Sequence, residues 1–122
     1  MYSRLEHLRH MRILVLEPAI DSTASLRVSF EEDSIESLIG KYEAVSHVCG
    51  EPILTHPLYT NSMTIINVTR NLNMALRRLR LNNEPRRLWA DAVCINQADM
   101  GEKSKQIPLM VEIFQGASRV LA

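Results

Sequence analysis

The spacing of apolar side chains changes near residue 40. Before that point, residues 11–17 (MRILVLE) form an apolar run that ends at Pro18, and residues 26–30 alternate apolar with polar side chains. Both patterns predict β-strands, and the alternation indicates that the second strand is buried on one face. The acidic residues 31–33 predict a solvated loop. We therefore expect an N-terminal pair of strands.

After residue 40, two segments are apolar on both faces, as is typical of strands inside a parallel sheet. They are residues 42–49 and residues 88–95 (LWADAVCI). Between them, two short apolar runs within residues 51–67 predict a loose hairpin. Residues 119–122 predict the beginning of a further strand.

Two other segments have the i, i+3, i+4, i+7 spacing of an amphipathic helix. In the first, the apolar positions are Leu72, Ala75, Leu76 and Leu79. A side-chain oxygen of Thr69 or Asn71 can cap its start. In the second, the apolar positions are Ile107, Met110, Val111 and Phe114.

The start of the second helix is ambiguous. Asp99 followed by Glu102 resembles a capping box. That start places Pro108 inside the helix, where a proline costs about 3 kcal/mol. We therefore expect either a later start, with Ser104 as the cap, or a kink at Pro108.

The order of these elements predicts an α/β fold with a parallel sheet, β-α-β-α-β from about residue 41. The N-terminal strands and the hairpin are additions to that core. Three core strands leave an open hydrophobic edge, so we expect an incomplete domain. Residues 1–10 would be a flexible N-terminus, and residues 11–122 a domain whose C-terminal part is missing.

Composition narrows the class of protein. The 122 residues include 14 Lys+Arg and 14 Asp+Glu, so zero net charge gives no general attraction to nucleic acid or to an anionic membrane. No apolar run has the roughly 18 residues that a membrane span needs. Cys49 and Cys94 do not make a disulfide framework, which favours a reducing, cytoplasmic setting.

A polar group follows the second buried segment and is the first candidate site. Asp91 interrupts the apolar run, and Asn96 and Gln97 come directly after it. Open α/β sheets bind ligands at the carboxyl ends of their strands. Because a buried carboxylate is costly unless it is paired, Asp91 is either a ligand-binding residue or bonded to nearby loop amides. Both alternatives stay open, and Asn96 and Gln97 can equally be turn formers.

A second group of reactive side chains lies at residues 46–51 (SHVCGE). His47 and Cys49 would share one face of a strand, as a Cys–His pair requires. A buried cysteine that packs as a small hydrophobic residue is the favoured interpretation. Ser46 and Gly50 are further candidates for the carboxyl edge of the sheet. The histidines and cysteines lack zinc-ligand spacing, so we expect no metal.

Positive charge is concentrated around the end of the first helix, at Arg77, Arg78, Arg80, Arg86 and Arg87. Such a cluster can bind a phosphate group or an acidic partner. A solvated face that complements the helix dipole is the favoured interpretation. No interleaved aromatic residues indicate nucleic-acid binding.

Three blocks in order resemble the fungal heterokaryon-incompatibility (HET) domain. Residues 42–51 (YEAVSHVCGE) are similar to its YEALSYVWGD block, and residues 68–80 to VTxNLxxALRRLR. Residues 88–120 are similar to LWIDAICINQxDxxEKxxQVxLMxxIYxxASRV. Among the matching positions, those expected to be structural are Tyr42, Asn71, Leu72, Trp89, Glu102 and Lys103. The chain departs from the pattern at His47, Cys49, Ala90 and Pro108.

The resemblance implies a module that arrests growth or kills cells when incompatible fungal cells fuse. It would act by association with other signalling proteins or with itself, and not with nucleic acid or a membrane. The fold of the family is thought to be similar to Toll/interleukin-1-receptor (TIR) domains, which have a flavodoxin-like parallel sheet.

Two alternatives remain. Some TIR-type domains hydrolyse NAD with a glutamate on their third helix, a position expected beyond Ala122. We therefore expect no catalytic residue and no cofactor, and NAD would be a substrate by analogy alone. In that alternative the ligand-binding candidates are Ser46, Gly50, Asp91, Asn96 and Gln97. The last alternative is a gene remnant without function.

Overall fold

A computed structural model describes residues 9–21, 23–45, 54–60, 64–96 and 98–121. The strands are β1 (His10–Leu16), β2 (Arg27–Ser34), β3 (Glu43–Val45), β4 (His56–Thr60), β5 (Ile65–Val68), β6 (Arg86–Trp89) and β7 (Arg119–Leu121). The helices are α1 (Ile35–Leu38), α2 (Arg70–Leu79), α3 (Asp91–Cys94), α4 (Met100–Gln106) and α5 (Met110–Gly116), with a 3₁₀ turn at Ile107–Leu109. Within the described ranges, no helix has the length and apolar character to cross a bilayer.

The seven strands hydrogen-bond in the order β5-β4-β2-β1-β6-β3-β7. Strand β3 pairs in parallel with β6, where Glu43 lies opposite Leu88, and with β7, where Glu43 lies opposite Arg119. The predicted α/β fold with parallel strands from about residue 41 is thus confirmed. The order β6-β3-β7 places the first of these three strands in the middle, as in a flavodoxin-like sheet.

The predicted N-terminal pair of strands is also confirmed. The Glu17 amide donates to the Arg27 carbonyl, and the Ile35 amide donates to the Arg9 carbonyl, so β1 and β2 run antiparallel. All of β1 from Met11 to Leu16 is buried. Such burial on both faces is typical of a strand with neighbours on each side.

The loop predicted for residues 31–33 is wrong, because β2 continues to Ser34. Glu31 accepts hydrogen bonds from Arg87, and Glu32 Oε2 lies 2.6 Å from His10 Nδ1. These side-chain pairs, one to the neighbouring strand β1 and one across β1 to β6, compensate for the poor strand propensity of acidic residues.

The chain forms two compact units, each described here by itself. The first contains the described parts of residues 15–29 and 47–86, and the second those of residues 2–14, 30–46 and 87–122. In the first unit, β4 and β5 form the predicted hairpin, with Leu58 opposite Ile66. Helix α2 packs against β4. Its start is capped by Thr69, whose hydroxyl accepts from the Leu72 amide at 3.2 Å.

The solvated face predicted for the arginine cluster is wrong for three of its members in the first unit, which bind backbone carbonyls, whereas Arg78 is exposed. Arg77 Nη1 donates to the Ala24 carbonyl at 2.9 Å. Arg80 donates to the carbonyls of Ala24, Ser25 and Asp21 at 3.0 to 3.2 Å. Arg86 donates to the Leu79 carbonyl. The bonds of Arg77 and Arg80 connect the end of α2 to the turn before β2, and the bond of Arg86 connects α2 to the start of β6.

In the second unit, the strand predicted over residues 88–95 ends at Trp89, and residues 91–94 form helix α3. The amides of Val93 and Cys94 both donate to the Ala90 carbonyl. Periodicity cannot separate a short buried helix from a buried strand, since both are apolar throughout. An aspartate in the first turn of a helix is also electrostatically favourable.

The next helix, α4, is capped by Asp99, whose carboxylate accepts from the Glu102 amide at 3.1 Å, and not by Ser104. The predicted interruption at Pro108 is confirmed as the 3₁₀ turn. This turn has fewer residues per turn than an α-helix, so it changes which residues face inward. Ile113 is fully buried, while Ile107 and Val111, predicted to be buried, are 52% and 66% exposed.

Candidate functional site

The candidate site lies after the carboxyl end of β6, in the second unit. Of the predicted residues, Asp91 and Asn96 are described, whereas Ser46, Gly50 and Gln97 lie outside the described residues. Asp91 is half-buried and begins α3, so it is not the mid-strand carboxylate that the sequence predicted. Asn96 follows α3, in the turn that leads to α4.

A buried ion pair lies beneath this turn. Arg12 Nη1 donates to Glu102 Oε2 at 2.9 Å, and Arg12 Nη2 donates to Glu102 Oε1 at 2.9 Å. The two side chains are 3% and 6% exposed. A bidentate arrangement of this kind combines strong attraction with a fixed geometry.

The ion pair also binds the backbone on both sides of Ile95. Arg12 Nη1 donates to the Cys94 carbonyl at 2.9 Å, and the Asn96 amide donates to Glu102 Oε2 at 2.6 Å. We call the Arg12 and Glu102 side chains, the Cys94 carbonyl and the Asn96 amide the Arg12–Glu102 clamp. The clamp therefore holds two consecutive peptide groups, those on either side of Ile95, at the start of the turn.

The rest of the turn is held by its own side chains. The Asn96 side-chain oxygen accepts from the Ala98 amide at 3.1 Å, and the Asn96 carbonyl accepts from the Asp99 amide at 3.1 Å. An asparagine that bonds to the backbone two residues later is a known turn former. Of the two interpretations of Asn96, the structure supports the turn former.

Helix α4 makes a second buried polar contact with β1. Gln106 is 1% exposed and donates through Nε2 to the His10 carbonyl at 2.8 Å. Among the described residues, Gln106 Oε1 and Trp89 Nε1 are buried without a hydrogen-bond partner. Both buried polar residues of α4 therefore bond to the same strand.

Two aromatic residues of the family blocks pack against α5. The Tyr42 hydroxyl donates to the Ile113 carbonyl, and burial raises the pKa of Tyr42 to about 12. The Trp89 ring meets Phe114 edge to face, with centroids 5.4 Å apart. Both residues therefore have structural contacts, as do the buried Leu72 and Glu102, while Asn71 is exposed and Lys103 half-buried.

Cys94 lies in the core beside the clamp. It has no exposed surface, and burial raises the pKa of its thiol to about 12. The Ala90 amide donates to its sulfur at 3.5 Å. A neutral thiol is a poor nucleophile and a poor metal ligand. In the described ranges, no group of three or more His, Cys, Asp or Glu residues could hold a metal ion.

Sequence reasoning missed Arg12, which is central to this site. The available signal was a single arginine in the apolar run of residues 11–17, where a charge needs a buried partner. The Arg12–Glu102 clamp holds the backbone on both sides of Ile95, after the carboxyl end of β6.

Comparisons with known proteins agree with the resemblance of the three blocks. Residues 42–122 match the family model described as "Heterokaryon incompatibility protein (HET)". The chain is 34% identical, over 124 residues, to "Heterokaryon incompatibility protein 6, OR allele" of Neurospora crassa. That alignment covers 92% of this chain but 18% of the length of the relative. No solved structure matches.

Proposed function

Because the chain belongs to the heterokaryon incompatibility (HET) family, we propose that it is a signalling module in fungal non-self recognition. Its output would be growth arrest or cell death after fusion of incompatible cells. The observation that carries this proposal is the family match over residues 42–122, which includes the parallel strands β3, β6 and β7. The relative from Neurospora crassa, named for heterokaryon incompatibility, supports the same role.

The proposed mechanism is association through the carboxyl edge of β6. Ligands of open α/β sheets bind outside the carboxyl ends of the strands. Asp91 lies at that edge, and the turn that follows α3 exposes Ala98 and leads to Met100, which is 71% exposed. A backbone held at Cys94 and Asn96, next to an exposed apolar side chain, suits binding to another signalling protein or to a second copy. Ser46, Gly50 and Gln97 are proposed members of the same surface.

Expression in a filamentous fungus tests the proposal. The chain would be placed under an inducible promoter, with colony extension and dye uptake as readouts. We expect induction to stop growth and admit dye. Arg78→Ala, at an exposed position of α2, is the matched control and should behave like the parent. Normal growth in every background would contradict the proposal.

Cellular NAD, measured in the same cultures, separates association from the NAD-hydrolysing alternative. Association predicts growth arrest while NAD stays at its initial concentration until the cells die. Release of nicotinamide from NAD by the purified chain would replace association with an enzymatic mechanism.

A further inference from the structure

The family match begins at residue 42, but the buried polar side chains of α4 have their partners on β1. Glu102 pairs with Arg12, and Gln106 bonds to the His10 carbonyl. Glu102 and Gln106 belong to the block that resembles the family, whereas His10 and Arg12 precede the match. Strand β1 is therefore bonded to the block that resembles the family, although β1 lies before the residues that the family model matches.

We propose that Arg12 and Glu102 are positioning residues for the turn between α3 and α4. Through the Arg12–Glu102 clamp they set the backbone at Cys94 and Asn96, and thereby the surface that a partner protein contacts. This inference rests on the proposed function, since it names the residues that shape the proposed surface. It adds β1 to the parts of the chain that the surface requires.

The two oxygens of Glu102 explain why the clamp acts on position as well as on stability. Oε1 accepts from Arg12 alone, whereas Oε2 accepts from both Arg12 and the Asn96 amide. Replacing a buried ion pair by apolar residues of similar volume is often neutral for stability. The Asn96 amide and the Cys94 carbonyl would nevertheless lose these partners. Backbone position can thus be changed while the core stays packed.

Two double variants separate the two effects. The acceptor-retaining variant, Arg12→Met/Glu102→Gln, removes both charges and the Arg12 donor but keeps a side-chain oxygen for the Asn96 amide. The acceptor-free variant, Arg12→Met/Glu102→Met, removes the charges, the oxygen and the donor. Both replace the charged pair by uncharged side chains of similar length, so they are matched in core volume.

The readouts are urea unfolding, amide hydrogen exchange at Asn96 by NMR, and growth arrest in the fungal assay. We expect the acceptor-free variant to exchange Asn96 at least tenfold faster than the parent and to lose growth arrest. The acceptor-retaining variant should keep both properties of the parent. Equal Asn96 exchange in the two variants, or growth arrest by the acceptor-free variant, would overturn the inference.

The parent chain supplies a measurement that does not depend on any variant folding. Its Asn96 amide should exchange at least a hundredfold more slowly than a freely exposed amide, and rapid exchange there would also overturn the inference. A different result would separate this inference from the proposed function. If the parent chain did not arrest growth, but Asn96 exchanged as expected in the parent and in both variants, the proposed function would be contradicted. The positioning of the turn by Arg12 and Glu102 would still hold.

Discussion

Each of the two compact units buries an arginine, but the two arginines have different partners. In the second unit, Arg12 forms a bidentate ion pair with Glu102. In the first unit, Arg80 is 8% exposed and donates to the carbonyls of Ala24, Ser25 and Asp21. One arginine thus faces a full opposite charge, and the other bonds to backbone dipoles of a surface turn.

The difference predicts how each unit responds to a substitution. Loss of Glu102 leaves the Arg12 charge buried, and loss of Arg12 leaves the Glu102 charge buried, so the effects of the two residues are coupled. Loss of Arg80 leaves behind the charge of Asp21, which is exposed to water, and the carbonyls of the turn can hydrogen-bond to water instead. The ion pair therefore makes the second unit sensitive to single changes, whereas the carbonyl contacts make the first unit tolerant.

The largest expected effect comes from breaking the ion pair on one side. Glu102→Met should lower the free energy of unfolding by about 3 to 5 kcal/mol, because it leaves Arg12 charged and buried. Urea unfolding followed by circular dichroism measures the loss. Adding Arg12→Met to this variant should recover most of the stability, since the orphaned charge is gone. A double variant as unstable as the sum of the two single variants would show that the residues are not coupled.

A smaller effect is expected from Arg80 in the first unit. Arg80→Met removes charge-assisted hydrogen bonds to the carbonyls and should cost about 1 to 3 kcal/mol. Arg78→Met, at an exposed position of the same helix, is the control and should change stability by less than about 0.5 kcal/mol. If Arg80→Met destabilised the chain as much as Glu102→Met, the proposed difference between the units would be wrong.

High pH should weaken the second unit through Cys94. Burial raises the pKa of the folded thiol to about 12, whereas an unfolded thiol titrates near about 8.5. The folded state keeps a proton that the unfolded state loses, so this stabilisation is complete below pH ~8.5 and falls as the pH rises toward the folded pKa. The loss is at most about 1.4 kcal/mol per pH unit.

Unfolding at pH 7, 8.5 and 10 tests this dependence in a chain that carries Cys49→Ser, so that Cys94 is the single thiol. Adding Cys94→Ala should reduce the loss of stability between pH 8.5 and pH 10. If Cys94→Ala left the loss of stability between pH 8.5 and pH 10 unchanged, the proton on Cys94 would make no contribution to the pH dependence of stability.

The smallest effects compare equivalent helix starts in the two units. Thr69 caps α2 and Asp99 caps α4, each by accepting from the amide three residues later. Replacing either by alanine should cost about 1 kcal/mol in unfolding free energy. Thr69→Ser keeps the capping oxygen and should cost less than Thr69→Ala. If Thr69→Ala and Asp99→Ala lower the free energy of unfolding by similar amounts, the two units differ in their buried charges and not in their helix starts.

Local patterns predicted those parts of the fold that depend on neighbours in sequence. The spacing of Leu72 and Leu76 predicted α2, and the apolar runs predicted β3 and β6 as parallel strands of one sheet. Helix α3 was missed because it is only four residues long and its last three residues are apolar, which gives a short helix and a buried strand the same pattern. The inward face of α5 was misassigned because the turn at Pro108 changes the phase of the helix.

The candidate site was less predictable because it depends on residues far apart in the chain. Asp91 and Asn96 were identified from their place after an apolar segment, and both lie after β6. Arg12 was not, since its partner Glu102 is 90 residues away and no local spacing connects the two. The family resemblance pointed to Glu102 but could not supply the residue that neutralises it.

That separation along the chain has a consequence during synthesis on the ribosome. Arg12 emerges early, and the carboxylate that neutralises it is added 90 residues later. At about 5 to 20 residues per second, the nascent strand waits roughly 5 to 20 s before its counter-charge exists. Strand β2 is synthesised early in this interval and can pair with the apolar segment, but the Arg12 guanidinium still lacks the Glu102 carboxylate. Residues 10–16 are therefore the natural place for a chaperone to bind, and slow translation would lengthen that exposure.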